Sequence, residues 1–169
     1  ILIKFEKKTV ALPFVLSALD FESLDVCYEK EAKGKDYNAI LAECKAAWNK
    51  VLGKIRVEGG DEARKRVFYT AVYRATSRMH NYSVNGKYFG FDKKMHDDEG
   101  HAYYCDDGIW DTFRGMHPLQ LILEPEVHRD TIESYLRMYK ESGWLPRFPY
   151  LGGNVPCMIG HHTGSILAE

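Results

Sequence analysis

Two short clusters of aromatic and charged residues, at 108–114 and 143–149, carry the residue types most able to do chemistry. The first reads GIWDTFR and the second GWLPRFP. A sugar ring stacks its apolar C–H face on an indole, and a carboxylate accepts hydrogen bonds from two neighbouring hydroxyls. The clusters are therefore typical of a carbohydrate site. A Trp in a hydrophobic core beside an Asp–Arg pair on a helix would use the same residue types.

The periodicity of the apolar residues predicts the elements that must position these clusters. Asp36 can cap a first long helix that ends at Gly59 and Gly60, and Asp61 begins a second. Each helix has one apolar stripe. The stripes comprise Ile40, Leu41, Cys44, Ala47, Trp48, Val51, Leu52 and Ile55 in the first, and Val67, Phe68, Ala71, Val72, Ala75 and Met79 in the second.

Two further helices are predicted around the first cluster. One runs from near Trp110 toward Leu123 and bends at Pro118, and the next begins at Pro125 and stops at Gly143. Residues 81–100 form a loop with a short hairpin at 83–88, and residues 144–160 form a Pro- and Gly-rich loop. Long aromatic loops between helices are therefore expected to carry the chemistry.

The beginning of the chain has a different character. Residues 1–19 are rich in Val, Leu, Ile and Phe, which predicts one or two strands with Pro13 at an edge or a break. Residues 20–35 are charged and predict a connection with a short helix at about 21–28. The strands are expected to belong to a different domain from residues 61–169.

Composition excludes several classes of function. The chain has 169 residues, 23 Lys and Arg against 24 Asp and Glu, and no basic run, which argues against a nucleic-acid partner. No apolar run is long enough to span a membrane, and the widely spaced cysteines form no C-x-x-C motif. The chain starts without Met and ends in an apolar stretch, so we expect it to be a segment of a longer protein.

Several motifs in fixed order resemble glycoside hydrolase family 92, the calcium-dependent α-mannosidases. The resemblance covers about residues 10 to 165, and its strength lies in the order and spacing of the pieces. The segments that carry it are VFYTAVYR at 67–74, GKYFGFD at 86–92, WDTFR at 110–114, HPL at 117–119, GWLPR at 143–147 and CMIG at 157–160.

The resemblance implies a mainly α fold, in which the first helices of an (α/α)6 toroid follow the terminal strands of a β-sandwich. Residues 1–19 would be the C-terminal strands of that sandwich, residues 20–60 a linker with a helix, and residues 61–169 the N-terminal part of the catalytic domain. The remainder of the same polypeptide would complete both domains. A periplasmic or extracellular location is implied as well.

The implied activity is exo-acting hydrolysis of α-mannosides of glycans with inversion, assisted by calcium. The resemblance places Trp110 and Asp111 against the mannose. Arg114 lies about one helical turn after Asp111, so it either holds Asp111 ionised or has a purely structural role. Asn154 and His161 are further candidates for substrate binding. The family's acid and base motifs do not occur in the chain, so no catalytic residue is expected within it.

Calcium ligands are also expected outside this chain. His96 and His101 lie in an acidic loop with Asp97, Asp98 and Glu99, but the loop lacks the Asp-x-Asp-x-Asp-Gly pattern of a calcium loop. Asp106 and Asp107 are expected to form a solvated acidic turn. Two other functions stay open, which are a non-catalytic carbohydrate-binding or scaffold protein with the same toroid, and another (α/α)6 glycosidase or a phosphorylase.

Overall fold

The first three helices each begin at an aspartate. The computed structural model describes Glu6 and residues 14–169, and there α1 spans Phe21–Glu31, α2 spans Tyr37–Leu52 and α3 spans Glu62–Thr76. Asp20, Asp36 and Asp61 each accept a 2.8 Å hydrogen bond from a backbone N–H of the first turn. These bonds satisfy donors that a helix start leaves without partners, so the predicted caps at Asp36 and Asp61 are confirmed.

The ends of these helices differ from the prediction. Helix α2 stops at Leu52 with Gly53 at its C-cap, so Ile55 lies beyond it, and none of its residues is buried. Helix α3 stops at Thr76, and Met79, which was expected on its stripe, instead lies in the buried core. Periodicity overshot both ends because apolar residues of the following loops happen to continue the helical spacing.

The predicted single helix from Trp110 to Leu123 is wrong. The chain forms α4 at Ile109–Thr112 and α5 at Met116–Leu123, and Gly115 stands at the N-cap of α5. Pro118 lies in the first turn of α5, where its missing N–H costs no hydrogen bond, so it does not bend the helix. Helix α6 spans Pro125–Ser142 and begins and ends where the sequence predicted.

Six short strands pair two by two between the helices. Strand β1 (His80–Asn81) pairs with β4 (Tyr104–Cys105), β2 (Lys87–Phe89) with β3 (Met95–Asp97), and β5 (Pro149–Tyr150) with β6 (Gly153–Asn154), all antiparallel. The predicted hairpin at 83–88 is present only as the bridge between Val84 and Lys87, and the longer pairing follows it. The chain closes with α7, Thr163–Leu167.

The buried core lies between α6 and the strand pairs. Tyr135 and Met138 of α6 are fully buried there, against Tyr103 and Cys105 and the start of α4. The architecture is thus mostly helical with few short strands, while the toroid and the sandwich stay predictions. None of the helices in the described ranges is both long enough and apolar enough to span a membrane.

The strands expected at the beginning of the chain fall mostly outside the described residues. Residues 1–5 and 7–13, with Pro13, are not described. Residues 14–19 are described and take no strand conformation.

The left-handed glycine at the end of α6 provides a test of this element. Gly143 has φ +79°, and a Cβ there would meet no atom within 4 Å, so a side chain would cost only conformational energy. We expect Gly143→Ala to destabilise the last turn of α6 by about 1 kcal/mol and to speed its amide hydrogen exchange about fivefold.

Gly115→Ala is the matched control, since Gly115 also has open space around its Cα but a negative φ of −129°. Hydrogen–deuterium exchange of the peptide that covers residues 138–146 measures both variants. Equal exchange rates in the two variants would contradict the conformational account.

Candidate functional site

The first cluster contains a short helix, α4, and its two charged side chains, Asp111 and Arg114, are exposed to solvent. Gly108 stands at the N-cap of α4 without a side-chain cap, so Asp111 does not cap the helix. The Asp111 side chain is exposed and makes no hydrogen bond or ion pair with another described residue. Arg114 lies over the ring of Phe113, with its guanidinium carbon 5.1 Å from the ring centroid. The predicted pairing of Arg114 with Asp111 is therefore not present in the structure.

Asp107, three residues before Trp110, is fully buried, so the expected solvated turn is wrong for this residue. Its Oδ1 accepts a hydrogen bond from Thr112 Oγ1 at 2.9 Å, and its Oδ2 accepts from Tyr135 Oη at 2.6 Å. His117 Nε2 lies 2.9 Å from the same Oδ2 and donates to it, because a carboxylate only accepts. Burial and the charge of Asp107 raise the pKa of Tyr135 well above its usual value, so its hydroxyl stays protonated.

Asp106 is also mostly buried, although it directly precedes Asp107 and points the other way. Its side chain is 14% exposed and lies 3.0 Å from His80 Nδ1 and 3.7 Å from an Arg78 guanidinium nitrogen. Asp106 has φ +75°, which turns the chain and sends the two neighbouring carboxylates to different partners. Asp106 and Asp107 therefore both hold other parts of the protein in place, each through its own set of partners.

The two clusters, which are far apart in the sequence, are neighbours in the structure. The Asp107 N–H donates to the carbonyl of Pro149 at 3.2 Å. The ring of Trp110 meets Phe148 edge-on, with centroids 4.7 Å apart, and Phe113 stacks on His162 at 4.1 Å. One backbone hydrogen bond and two aromatic contacts thus join the α4 region to the loops at 143–150 and 160–163.

A cleft of about 680 Å³ opens beside this junction and includes two of the predicted site residues, Asn154 and His161. Asn154 Oδ1 accepts from the backbone N–H groups of Arg147 and Phe148 at 3.0 and 2.8 Å, so it shapes the loop and leaves only its amide nitrogen for a ligand. The other three candidates, Trp110, Asp111 and Arg114, are not among the residues that line the cleft.

Two residues of the cleft that were not among the candidates come from the second aromatic cluster. Trp144 is 78% exposed and lines the cleft. Arg147 also lines it, and its buried Nε has no hydrogen-bond partner among the described residues. The sequence signal for both was the cluster itself, which stood out by residue type before any position in it could be assigned.

The histidines of the acidic loop contact two different aspartates. His96 Nε2 lies 2.9 Å from Asp92, and His101 Nδ1 lies 3.0 Å from Asp130. In the part of the chain that the structure describes, no three His, Cys, Asp or Glu side chains converge in a way that could hold a metal ion.

The model of the glycosyl hydrolase family 92 catalytic domain matches residues 26–169. The chain belongs to glycoside hydrolase family 92. The resemblance found in the motifs is thereby confirmed, and the sites above are part of a family 92 catalytic domain. No curated protein matches the chain.

Solved structures of family 92 enzymes have the same fold as this chain. The α-mannosidase BT3965 from Bacteroides thetaiotaomicron is 33% identical over 90% of this chain, with a TM-score of 0.85. The structure of its complex with mannoimidazole is 32% identical over the same share of the chain, with a TM-score of 0.84. The inverting mannosidase BT2199 from the same organism is 32% identical over 89% of the chain, with a TM-score of 0.81. The chain spans only 20–21% of the length of these relatives.

His128 is a buried histidine of α6 that packs near His117 of α5. It is 2% exposed, neither ring nitrogen has a hydrogen-bond partner among the described residues, and its ring centroid lies 5.7 Å from that of His117. Burial, with the nearby His117 as a second cause and Glu169 opposing, lowers the pKa of His128 below its usual value.

We therefore expect His128 to make the fold less stable in mild acid. Below a pH of about 6.5 the unfolded chain takes up a proton at this residue and the folded chain does not, so stability falls as the pH drops from there. The thermal unfolding midpoint of wild type should fall more between pH about 7 and about 5.5 than that of His128→Phe. Equal drops in the two proteins would show that His128 is not the group responsible.

Proposed function

We propose that this chain forms one wall of the mannoside site of an exo-acting, inverting α-mannosidase. The observation that carries the proposal is the Asp111 carboxylate, which is exposed and has no hydrogen-bond or ion-pair partner among the described residues. It lies on α4, which is held in place by the hydrogen bond from Thr112 to the buried Asp107. Trp110 precedes it and is half-buried against Phe148. Together they offer a charged acceptor and an indole wall at one place.

Three other aspartates between residues 92 and 130 differ from Asp111 in that each already has a histidine partner. Asp92 is paired with His96, Asp106 with His80 and Asp130 with His101. A carboxylate without a partner that stands in a surface formed by aromatic residues can accept two hydroxyls of one sugar ring. The contrast favours ligand binding by Asp111 over a structural role.

The cleft beside α4 is proposed to receive another part of the glycan. Trp144 exposes an indole face suited to a sugar ring, and the guanidinium of Arg147 supplies donors to hydroxyl or ring oxygens. Phe148 and His162, which contact Trp110 and Phe113, adjoin the cleft residues Arg147 and His161 in the sequence, and this supports a second sugar unit of the glycan in the cleft.

Inverting hydrolysis also needs two carboxyl groups on opposite faces of the sugar. One protonates the leaving oxygen, and the other activates a water molecule. The relative BT2199 is an inverting mannosidase, which supports the same stereochemistry here. Because the family's acid and base motifs do not occur in this sequence, we assign both groups to the remainder of the catalytic domain.

We propose that the calcium ion implied by the resemblance takes ligands from the remainder of the catalytic domain. The described residues bring no three His, Cys, Asp or Glu side chains together, and the acidic loop commits His96 and His101 to their own aspartates. The role proposed for Asp111 and Trp110, which is to bind the mannoside, does not involve the calcium ion.

Asp111→Asn tests the proposed site in a protein that carries the whole catalytic domain. The change keeps the shape and removes the charge, and a hydrogen bond to a charged group contributes about 1.5–3 kcal/mol. We expect kcat/KM for an α-mannoside to fall by about ten- to a hundredfold.

Asp97→Asn is the matched control, since Asp97 is also exposed and lies on β3, and it should leave kcat/KM unchanged. Steady-state kinetics with 4-nitrophenyl α-mannoside, on variants with unchanged circular dichroism, measures the effect. Full activity of Asp111→Asn would refute the assignment of this carboxylate to the mannoside.

A second test concerns the chain alone. Because no catalytic acid or base is assigned within it, purified protein that consists of residues 1–169 should release no mannose from α-mannosides. Chromatographic detection of free mannose, with the complete enzyme as positive control, checks this expectation. Mannose release by the shorter protein would place the catalytic pair within these residues.

A further inference from the structure

We propose that Asp107 is a positioning residue of the mannoside site, which aims Asp111 and joins the two aromatic clusters although it touches no substrate itself. The inference rests on the proposed function, because it takes Asp111 to be a mannoside ligand. Asp107 is 0% exposed, so any effect it has on the substrate must pass through other residues.

The first step of the argument is that Asp107 closes the turn that presents Asp111. Thr112 Oγ1, from the residue after Asp111, donates to Asp107 Oδ1 at 2.9 Å. Inside this closed turn, the Asp111 N–H donates to the carbonyl of Gly108 at 2.8 Å. The backbone on both sides of Asp111 is therefore fixed, while its side chain is left exposed.

The second step is that the turn is attached to the body of the protein through the same carboxylate. Oδ2 accepts from Tyr135 of α6 at 2.6 Å and from His117 of α5 at 2.9 Å. Both donors are fully buried. The turn thus has a fixed position relative to two helices, which a hydrogen bond within the turn could not provide.

The third step is that the backbone of Asp107 sets the distance between the clusters. Its N–H donates to the carbonyl of Pro149 at 3.2 Å, at the first residue of β5. The neighbouring Phe148 contacts Trp110. A shift of Asp107 would therefore move Trp110 and Asp111 against the cleft that contains Trp144.

The chemistry of the three donors explains why a carboxylate is required. Three groups, from Thr112, His117 and Tyr135, converge on the two oxygens of Asp107. An amide of the same shape has one oxygen and one NH₂ group, so in Asp107→Asn at least one of the donors loses its acceptor. The turn is then released without a change in side-chain volume.

A double-mutant cycle separates positioning from a general loss of stability. It compares wild type, Asp107→Asn, Asp111→Asn and the double variant, all in a protein with the whole catalytic domain. If Asp107 acts through Asp111, Asp107→Asn alone should lower kcat/KM about tenfold or more, and should lower it less than about threefold once Asp111 is already Asn.

Asp106→Asn is the matched control in the same turn, because Asp106 is bound to His80 and Arg78 and not to the buried network. It should change kcat/KM less than about threefold in either background. Equal losses from Asp107→Asn in both backgrounds would overturn the inference, because a purely structural residue does not depend on Asp111.

The other outcomes are also decisive. A costly Asp111→Asn together with a neutral Asp107→Asn would overturn this inference and leave the proposed function standing. A neutral Asp111→Asn would overturn both.

If Asp107→Asn does not fold, Thr112 replaces it as the site of the test. Thr112→Ser keeps the hydroxyl that donates to Asp107, and Thr112→Val removes it at similar volume. Near-wild-type kcat/KM in the serine variant and a loss of about tenfold in the valine variant would support positioning. Equal activities would overturn it.

Discussion

The buried carboxylate of Asp107 is the interaction on which the arrangement of this region depends. Burying a charged group without partners costs several kcal/mol, so the folded state is accessible only when its donors are in place. Those donors come from α4, α5 and α6, and the backbone of the same residue binds β5. One arrangement of these four elements satisfies all of them, so a single polar group selects the arrangement that the surrounding apolar contacts would permit with less precision.

Helix ends with strong local signals could be predicted from the sequence, and those set by tertiary contacts could not. Helix α6 was predicted from Pro125 and Gly143, and two starts from Asp36 and Asp61, because caps act on residues one turn away. The break between α4 and α5 was missed. Phe113 continues the apolar spacing past Thr112, but in the structure Phe113 is the C-cap of α4 and Gly115 is the N-cap of α5.

The candidate site divides in the same way. Residue types alone drew attention to both aromatic clusters, but only the structure shows that Pro149 and Phe148 join the second cluster to the first. Asp106 and Asp107 are identical neighbours in the sequence, and their different roles depend on residues as distant as His80 and Tyr135. Asn154 was expected to bind substrate, and its oxygen is occupied by the loop backbone, a contact that no local pattern indicates.

A buried Asp107 that supports an exposed Asp111 is an arrangement that suits a binding site. A ligand carboxylate contributes most when it already stands in the bound position, because no ordering of the turn is then needed at the moment of binding. Rigid support and freedom to bind are opposing demands on one residue, since each hydrogen bond that fixes a side chain also occupies an acceptor. In the proposed site they fall on two residues four positions apart, so Asp107 takes the internal donors and Asp111 is left with unoccupied acceptors. Under the proposed function, the same division would let an acid-rich turn bind a neutral sugar, because Asp106 and Asp107 are held by partners within the protein and Asp111 is exposed.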